Sequence, residues 1–341
     1  MKGKRLCFPE ANKVVLEDFE IDETRVPADH VLIQTLCSLI SPGTEGAIFS
    51  ALDEQVYDPK AWCHYPFHPG YASVGRVLKV GANVNDYHEG DFIFTMGKHA
   101  SIHLVNLKAT NALKLPNDVN HHHALLLRLA GVAITSVRVA DFRMGDAVVV
   151  QGLGLVGNFA AQLFDLQGAR VIGIDVSEQR LALARICGVR HLINPREENA
   201  IERVKALTNG EGAKCVVDAI GLPDLIPGAM ALARKNGELI LLGSPRGRSK
   251  VDASDILHDC HIRGVAIKGA LEWLYPKFPT PEGGPSIQQN YELLLDFLRR
   301  GRLKVEGLIT HAISPEDAQI AYEGLQKKKD EYLGVVFTWA E

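Results

Sequence analysis

The chain has 341 residues, of which 46% are hydrophobic and 23% are charged, which is the composition of an ordinary globular protein. Its 37 basic and 41 acidic side chains give a net charge of -4 with no basic block, so nucleic acid is not an expected partner. At roughly 150 residues per domain, the length predicts two domains that each bury their own core.

The start of the chain and its cysteines indicate a compartment. The opening MKGKRLCFPEANKVV lacks an apolar stretch of signal-peptide length, and no segment approaches the ~18 apolar residues of a membrane span. The six cysteines stand singly, without the close pairs that form zinc knuckles or redox dithiols. We therefore expect a cytoplasmic protein with reduced thiols and no membrane partner.

Residues 1–122 have the pattern of a β-rich, barrel-like domain. Short apolar segments alternate with Gly and Pro, as in VLIQTLCSL from Val31 and GYASVGRVLKVGANV from Gly70. Three histidines at 121–123 then follow Asn120. Because adjacent helical side chains point about 100° apart, these histidines do not converge on one metal ion, and Asn120 is predicted to cap a helix instead.

Residues 123–270 alternate apolar strands with helices, which is the pattern of a parallel, doubly wound sheet. The predicted strands cover residues 147–151, 170–174, 192–194, 214–218, 238–242 and 262–267. Between them, SEQRLALARICG and EENAIERVKALTNG have apolar residues three and four apart and are predicted helices. Residues 271–341 break this rhythm with PKFPTPEGGP, then predict a helix near 291–300 and a final strand, LGVVFTW, in a segment that returns to the first domain.

A glycine motif follows the first of these strands, in VVVQGLGLVGNFAAQLF. Gly152, Gly154 and Gly157 stand in GxGxxG spacing between a buried strand and an apolar helix, the context of a dinucleotide-binding turn. Gly152 permits the tight turn, Gly154 lets a pyrophosphate approach the backbone, and Gly157 lets helix and strand pack closely. Leu155 and Val156 open the helix, whose N-terminus presents a partial positive charge to the phosphates.

The second strand predicts which dinucleotide binds. It ends in Asp175, about twenty residues after the glycines, where a carboxylate accepts hydrogen bonds from the adenosine ribose. The same carboxylate would repel a 2′-phosphate, so NAD is favoured over NADP. Arg180 acts against this preference, since an arginine at this place also suits a 2′-phosphate.

These motifs and their order give the chain a resemblance to the medium-chain dehydrogenase/reductase superfamily over nearly its whole length. The segments that carry it are SPGTE at 41–45, PGYASVGRVLKVG at 69–81, GDFIF at 90–94, the GLGLVG turn, LLGS at 241–244 and GLITHAISPEDAQIAY at 307–322. The resemblance implies an α/β protein with a GroES-like β-rich catalytic domain and a Rossmann doubly wound domain, and it adds Gly243 and Ser244 to the cofactor site. It also implies a homodimer or homotetramer, since such folds commonly associate through the Rossmann sheet edge.

The resemblance also shows where this chain departs from zinc-dependent relatives, which carry a Cys-Gly-Thr/Ser-Asp stretch, a Gly-His-Glu stretch and a further Cys or Glu. Here Pro42 stands in place of the Cys, Tyr71 and Ala72 replace the His-Glu pair, and Leu127 and Arg128 stand at the third position. These side chains are not ligands that Zn²⁺ takes in proteins. The four-cysteine lobe for structural zinc is also missing, which implies a metal-free member related to the bacteriochlorophyllide dehydrogenase-like and polyol dehydrogenase-like branch.

Another group must then compensate the negative charge that develops on the substrate oxygen as hydride moves. Tyr71 is the candidate phenol donor, and the guanidinium of Arg128 would favour its phenolate form. Thr44 matches the relay hydroxyl of the family, and Glu45 matches a carboxylate expected to orient Tyr71 or to pair with Arg128. Each candidate has a structural alternative: a wall residue for Tyr71, a salt-bridged helix residue for Arg128 and a turn cap for Thr44.

His99 and four residues near the expected cleft complete the candidates. His99 lies in the loop shortened by loss of the zinc lobe, and histidine titrates near neutrality, which suits an acid/base role, although a lone histidine is more often structural. The segment AWCHYPFHPGY brings Trp62, His64 and Tyr65 near the same cleft, and Trp273 begins the returning segment. Such aromatic side chains stack on sugars or planar rings in some clefts and belong to the core in others.

The favoured hypothesis is a zinc-free, NAD(H)-dependent oxidoreductase that interconverts a secondary alcohol and a ketone on a hydroxylated small molecule such as a sugar, cyclitol or other polyol. The alternative within the superfamily is an NADPH-dependent quinone or enoyl reductase, which is also zinc-free. The alternative from another class is a non-catalytic protein that retains the nucleotide site. Loops set the shape of the pocket, so these motifs do not identify the substrate.

Overall fold

The structure is a computed structural model, and it describes residues 1–339. The chain divides into two compact units. The first comprises Met1–Arg128, Tyr275–Arg299 and the described chain from Leu308 onward, and the second comprises Leu129–Leu274 and Arg300–Gly307. The two main boundaries lie a few residues after the predicted ones at 122 and 270.

The piece Arg300–Gly307 was predicted to belong with the rest of the returning segment, and the second unit takes it instead. The Gln162 side chain explains this difference. Its Nε2 donates to the Lys304 carbonyl oxygen at 3.0 Å, and its Oε1 accepts from the Lys304 N–H at 2.7 Å. Both backbone groups of Lys304 are therefore tied to a helix of the second unit.

Strands and helices are numbered in chain order. The strands are β1 (Lys2–Cys7), β2 (Val15–Glu20), β3 (His30–Leu39), β4 (Ser73–Val80), β5 (Phe92–Thr95), β6 (Ile102–Asn106), β7 (Ala112–Leu115), β8 (Ala147–Gln151), β9 (Arg170–Ile174), β10 (His191–Ile193), β11 (Ala213–Asp218), β12 (Ala233–Leu241), β13 (Ala266–Gly269), β14 (Ile309–Ile313) and β15 (Gly334–Thr338). The α-helices are α1 (Thr44–Phe49), α2 (His121–Leu125), α3 (Leu127–Val139), α4 (Leu155–Leu166), α5 (Glu178–Ile186), α6 (Ala200–Leu207), α7 (Ile226–Leu232), α8 (Ala253–Ile262), α9 (Ile287–Arg299) and α10 (Ala318–Lys327).

The first unit is β-rich, as the sequence predicts. Its main sheet has the order β14-β15-β3-β4-β5-β7, with β6 also paired to β3, and β1 and β2 form an antiparallel ladder of their own. The final strand β15 runs antiparallel to β3, with Val336 opposite Leu39. Buried aromatic rings fill the core beneath, where Phe8 and Phe49 each contact Tyr322.

The second unit confirms the predicted doubly wound sheet. Its strands are all parallel in the order β10-β9-β8-β11-β12-β13, and Val149, Ile172 and Val216 are fully buried in its core. Parallel strands covered on both faces need such continuous apolar runs. The carboxyl ends of these strands share one edge of the sheet, which is where ligands bind in this architecture.

Two local predictions have different outcomes. The predicted helix cap is confirmed, since the Asn120 side chain accepts a hydrogen bond from the His123 N–H at 3.1 Å. The predicted strand at 262–267 is wrong in its first part, because α8 continues to Ile262 and β13 starts only at Ala266. Asp252 caps the start of α8 by accepting from the Ser254 N–H, and Gly264, with a φ of +65°, follows the helix and separates it from β13.

Among residues 1–339 no helix has both the length and the apolar character that crossing a bilayer requires.

Candidate functional site

The glycine turn of the second unit connects β8 to α4. Gly152 has a φ of +88°, which a residue with a side chain rarely adopts. A Cβ on Gly157 would lie 1.8 Å from the Gly152 carbonyl oxygen, so the helix packs on the turn only because residue 157 is glycine. A Cβ on Gly154 would meet no protein atom within 4 Å. The turn thus has the close helix packing, and the room at Gly154, that a dinucleotide cradle requires.

The N-terminus of α4 can receive an anion. Gly154 precedes the helix and has no side chain to cap it, and its first turn, which begins with Leu155 and Val156, contains no acidic residue. The first N–H groups of a helix have no partner within the helix, and the helix dipole places positive charge there. The turn and this helix end therefore fit a pyrophosphate group.

Asp175 is anchored to the glycine turn. Its Oδ2 accepts from the Leu153 N–H at 2.7 Å, and its Oδ1 accepts from the Ser177 N–H at 2.9 Å. Arg180 Nη1 lies 3.8 Å from the same Oδ2, which makes an ion pair with the carboxylate. Each carboxylate oxygen accepts more than one hydrogen bond, so Asp175 retains the capacity to bind ribose hydroxyls.

Gly243 and Ser244 lie in the loop after β12, at the same edge of the sheet. The Gly243 N–H donates to the Asp218 carbonyl oxygen at 2.7 Å. A Cβ on Gly243 would lie 2.5 Å from the Gly221 nitrogen, and one on Gly221 would lie 2.4 Å from the Ser244 oxygen. The loops after β11 and β12 are therefore packed backbone against backbone, and glycine is needed on both sides.

Tyr71 is the centre of a polar cluster in the first unit. Its hydroxyl lies 2.5 Å from Ser41 Oγ and 3.5 Å from Thr44 Oγ1. The guanidinium of Arg128 lies over its ring, with Cζ 4.4 Å from the ring centroid, and Arg128 Nη1 donates to the Tyr291 hydroxyl at 2.9 Å. Arg128 is 3% exposed, so this cation–π contact is shielded from water.

Glu45, which is 1% exposed, is the centre of a second, more deeply buried part of the same cluster. Its Oε1 accepts from the Ser41 N–H at 2.9 Å. Its Oε2 lies 2.9 Å from His99 Nε2 and accepts from the Tyr322 hydroxyl at 2.5 Å, and burial raises the pKa of Tyr322 well above its ordinary value. The buried carboxylate is thereby hydrogen-bonded on both oxygens and fixes the backbone of Ser41, whose side chain holds Tyr71.

The hydrogen bonds continue beyond Glu45 to the end of the described chain. His99 Nδ1 lies 2.8 Å from Ser38 Oγ, and Trp339 Nε1 donates to the same Oγ at 2.7 Å. Since the Trp339 N–H is a donor only, Ser38 can direct its own proton to Nδ1, which leaves Nε2–H to donate to Glu45. With these donor and acceptor assignments, the Trp339 N–H, the Ser38 hydroxyl and both His99 ring nitrogens each have a hydrogen-bond partner.

Comparisons with known proteins agree with this architecture. A family model described as a zinc-binding dehydrogenase matches residues 156–276. D-guloside 3-dehydrogenase of Shigella flexneri is 26% identical over 80% of this chain and 78% of its own length. Sorbitol dehydrogenase of Bacillus subtilis is 24% identical over 80% of each chain.

Solved structures share the fold of the whole chain. An oxidoreductase/dehydrogenase of unknown specificity from Escherichia coli superposes with a TM-score of 0.85 at 20% identity, covering 100% of both chains. A putative zinc-binding dehydrogenase from Sinorhizobium meliloti, bound to NADP, gives a TM-score of 0.78 at 18% identity. An alcohol dehydrogenase from Escherichia coli CFT073, complexed with NADH, gives a TM-score of 0.80 at 19% identity. Each comparison covers 99% of both chains.

The chain is therefore similar to dehydrogenases of the medium-chain dehydrogenase/reductase superfamily. The named relatives support an oxidoreductase of the alcohol dehydrogenase type, and two of the superposed structures hold a nicotinamide dinucleotide, NADP in one and NADH in the other. The glycine turn and Asp175 are the residues of this chain that fit such a cofactor.

The residues at the zinc positions of the superfamily do not fit zinc. Pro42 has no donor atom, and the Tyr71 hydroxyl is hydrogen-bonded to Ser41. At the third position, Leu127 is aliphatic and Arg128 is a cation packed on the Tyr71 ring. Zn²⁺ takes thiolate, imidazole or carboxylate ligands, and this donor set offers none of them. The matched family model covers residues 156–276 and does not include these positions.

The structure brings the predicted catalytic residues into one cluster but changes two of their roles. His99 is fully buried and both of its ring nitrogens face protein partners, so it positions Glu45 and is not an acid/base group that touches substrate. Glu45 binds Ser41, His99 and Tyr322, which corrects the expectation that it orients Tyr71 directly or pairs with Arg128.

The four predicted pocket residues do not share one environment. The Tyr65 hydroxyl donates to the Ile48 carbonyl oxygen, so Tyr65 has a structural role in the core of the first unit. Trp62 is 63% exposed with its ring edge-on to Phe67, and His64 is exposed with Nδ1 2.7 Å from the Ala61 carbonyl oxygen. Trp273 is exposed in the short 3-10 turn Glu272–Leu274 of the second unit.

Sequence reasoning missed several members of the cluster. Ser41 stands inside the SPGTE motif and Tyr322 ends the GLITHAISPEDAQIAY motif, so both were visible within segments that carry the family resemblance. Ser38 and Tyr291 had no such motif. Their roles follow from contacts between parts of the chain that are far apart in sequence, which spacing does not reveal.

Proposed function

We propose that the protein is a zinc-free, NAD(H)-dependent dehydrogenase that interconverts a secondary alcohol and a ketone on a hydroxylated small molecule. The observation that carries this proposal is the Tyr71 phenol, hydrogen-bonded to Ser41 and covered by the Arg128 guanidinium at a position where zinc-dependent relatives have a metal ligand. A phenol and a fixed cation supply the proton and the positive charge that zinc otherwise supplies.

NAD is the proposed cofactor, and when bound it accepts or donates the hydride. The turn Gly152, Gly154 and Gly157 would hold its pyrophosphate, with Gly243 and Ser244 beside it at the edge of the sheet. Asp175 would bind the adenosine ribose and repel a 2′-phosphate. The ion pair with Asp175 supports NAD over NADP, because Arg180 already has an anionic partner.

The first unit would handle the proton. In alcohol oxidation the Tyr71 oxygen takes the substrate hydroxyl proton, and in ketone reduction the phenol returns it. The Arg128 guanidinium over the Tyr71 ring would supply a fixed positive charge, and a hydrogen bond donated by Ser41 Oγ would stabilise negative charge on the Tyr71 oxygen. The Thr44 hydroxyl, 3.5 Å from the Tyr71 hydroxyl, would act as the relay between Tyr71 and the substrate hydroxyl. Glu45, His99 and Tyr322 keep Ser41 in place.

A sugar, cyclitol or other polyol is the proposed substrate class. Two relatives support it, D-guloside 3-dehydrogenase and sorbitol dehydrogenase, because the compounds in their names carry several hydroxyl groups. Exposed Trp62 and His64 supply an aromatic face and a polar ring on the loop before Tyr71. Aromatic faces and a few polar groups are what sugar-binding surfaces use.

The test is a spectrophotometric screen of polyols and glycosides with chelator-treated enzyme and either NAD or NADP. We expect reduced nicotinamide to form with NAD and at least one polyol, at a rate unchanged by the chelator. Complete loss of activity after chelation, restored by Zn²⁺, would contradict the zinc-free mechanism. Preference for NADPH with quinones or enones indicates the reductase alternative, and tight NAD(H) binding without turnover indicates a non-catalytic protein.

A homodimer or homotetramer formed through the second unit is part of the proposal. Strand β13 ends the sheet order, and most of its residues, including Ile267, are exposed. An edge strand of this kind pairs readily with its own copy around a two-fold axis. Sedimentation of the wild type and of Ile267→Pro tests this: the variant is expected to sediment as a monomer, and a monomeric wild type would contradict the proposal.

A further inference from the structure

We propose that Cys7, Glu17 and His68 form a binding site for a divalent transition metal of the zinc class. The three side chains offer a thiol, a carboxylate and an imidazole, and their ligand atoms all lie within 4.8 Å of one another. This is the donor set that zinc takes in proteins, with a fourth position for water. The site shares no residue with the Tyr71 cluster or the glycine turn.

The β1–β2 ladder brings the first two donors together. Arg5 lies directly opposite Glu17 in the antiparallel register, and Cys7 lies opposite Val15. Residues two apart on a strand point to the same face, so Arg5 and Cys7 share the face that Glu17 occupies on the neighbouring strand. Diagonal neighbours on such a face are within reach of a long side chain such as glutamate.

A separate backbone bridge adds the histidine. The Phe8 N–H donates to the Phe67 carbonyl oxygen at 2.7 Å, and the Phe67 N–H donates to the Phe8 carbonyl oxygen at 2.9 Å. Since Cys7 precedes Phe8 and His68 follows Phe67, the bridge fixes these two residues side by side. Backbone hydrogen bonds thus hold the three residues next to one another before any ion enters.

The geometry needs a small adjustment to accept an ion. His68 Nε2 lies 2.8 Å from Glu17 Oε1, the distance of a hydrogen bond. Ligand atoms around a tetrahedral zinc lie roughly 3.5 Å apart, so the metal would replace the shared proton while the two side chains separate by less than about 1 Å. Cys7 is 4% exposed, whereas the side chains of Glu17 and His68 are 35% and 34% exposed, which leaves one side open for entry.

Arg5 fits the role of a supporting group. Its Nε donates to Glu17 Oε1 at 2.7 Å. Arg5 and His68 both contact Oε1, and a carboxylate oxygen has two lone pairs, so Glu17 can bind the ion through Oε1 and still accept the Arg5 hydrogen bond there. Hydrogen bonds of this kind to a ligating carboxylate orient it and are common around metal sites. Arg5 also balances the charge that the carboxylate carries when no ion is bound.

The test titrates Co²⁺ into full-length protein stripped with a chelator. Wild type is expected to show a thiolate-to-cobalt charge-transfer band that saturates at one equivalent and disappears on adding Zn²⁺. Cys7→Ser is expected to lose the band, and His68→Gln to bind at least tenfold more weakly. Cys260→Ser removes a half-buried cysteine of α8 outside the cluster and is the matched control, expected to behave as wild type.

Two results would overturn the site: no charge-transfer band in the wild type, or an unchanged band in Cys7→Ser. If Cys7→Ser does not fold by circular dichroism, His68→Gln and Glu17→Gln decide, and wild-type affinity in both would equally overturn it. Turnover of Cys7→Ser separates this site from a catalytic metal, since we expect it to equal that of wild type with and without chelator.

Discussion

The glycine turn of the second unit and the Tyr71 cluster of the first are built in opposite ways. The turn lies within a short stretch after β8, with Asp175 reaching back to it from the next strand, and its geometry depends on residues that lack side chains. The cluster depends on side chains from remote segments: Tyr322 and Glu45 are 277 positions apart, and Trp339 and Ser38 are 301 apart.

This difference teaches how each region responds to substitution. A turn made of backbone fails when an added atom meets the backbone, and the failure concerns cofactor binding. A cluster made of side chains fails when one hydrogen-bond partner is removed, and the failure concerns both proton transfer and stability, because the remaining partners are buried. The following variants separate these two kinds of failure.

Within the glycine turn, the largest effect is expected for Gly157→Ala. The added Cβ would lie 1.8 Å from the Gly152 carbonyl oxygen, which cannot move without displacing the turn. We expect the Kd for NAD to rise more than about tenfold, which is over ~1.4 kcal/mol, in calorimetric titrations. Gly228→Ala is the control, because a Cβ there meets no atom within 4 Å, and it should bind NAD as wild type does. Equal affinities in the two variants would remove the glycine turn from the cofactor site.

Tyr71→Phe is expected to lower kcat by ~10²- to 10⁴-fold, the range for loss of a general acid or base, while the Kd for NAD stays unchanged. The phenyl ring keeps the packing under Arg128 and loses only the hydroxyl. Steady-state kinetics with the best polyol of the screen measures the effect. Tyr57→Phe, at an exposed tyrosine, is the matched control and should retain full activity. Wild-type turnover in Tyr71→Phe would assign Tyr71 to the wall of the pocket.

His99→Ala tests whether the buried hydrogen bonds position Tyr71. The variant removes one hydrogen-bond partner from each of the buried residues Glu45 and Ser38, so we expect the free energy of unfolding to fall by about 1–3 kcal/mol. We expect kcat to fall less than in Tyr71→Phe, with most of the loss recovered in His99→Gln, whose amide again donates to Glu45. Groups that act as a unit are not additive, so Tyr71→Phe with His99→Ala should be little slower than Tyr71→Phe alone. Additive losses would show independent roles.

The sequence predicted the turn well and the cluster poorly for the same physical reason. Gly152 and Gly157 are needed by the local backbone, and local requirements are written in adjacent residues. The sequence placed His99 in a loop and made it a candidate acid/base group. In the structure the Leu6 N–H donates to the His99 carbonyl oxygen and the His99 N–H donates to the Pro69 carbonyl oxygen, which draws the loop into the core. The residues adjacent to His99 in the sequence do not predict these hydrogen bonds with Leu6 and Pro69.

The same limit applies to ligand sets. The three donors near β1 escape any search for closely spaced Cys and His residues, because register and a single backbone bridge bring them together. By contrast, the departure at Pro42 and Tyr71 from the zinc ligands was visible in the sequence, since a family motif fixes those positions. A family motif therefore shows where a residue differs from the expected ligand more readily than it shows which side chains the fold brings to that place.

The smallest expected effect is on the pH dependence of stability. It tests whether a closely packed histidine of the first unit, His103, affects the free energy of unfolding. His103 lies on β6 opposite Ile33, and a Cβ on Gly97 would lie 3.1 Å from its Nε2, so the ring is closely packed. Burial lowers the pKa of His103 from 6.5 to about 4. The unfolded chain takes up this proton as the pH falls through 6.5, whereas the folded protein takes it up only near 4. The unfolded state therefore binds more protons in this window, and stability falls as the pH falls.

We expect chemical denaturation to show a loss of roughly 1–3 kcal/mol attributable to His103 between pH 6.5 and 4, beyond the loss caused by other groups. His103→Gln should flatten the pH dependence of the unfolding free energy in this window, because glutamine does not titrate. His88→Gln, at an exposed histidine whose side chain is 77% exposed, should leave the dependence as in wild type. A His103→Gln curve parallel to that of wild type would mean that the buried ring takes up its proton without cost, and that the packing around β6 is looser than the structure indicates.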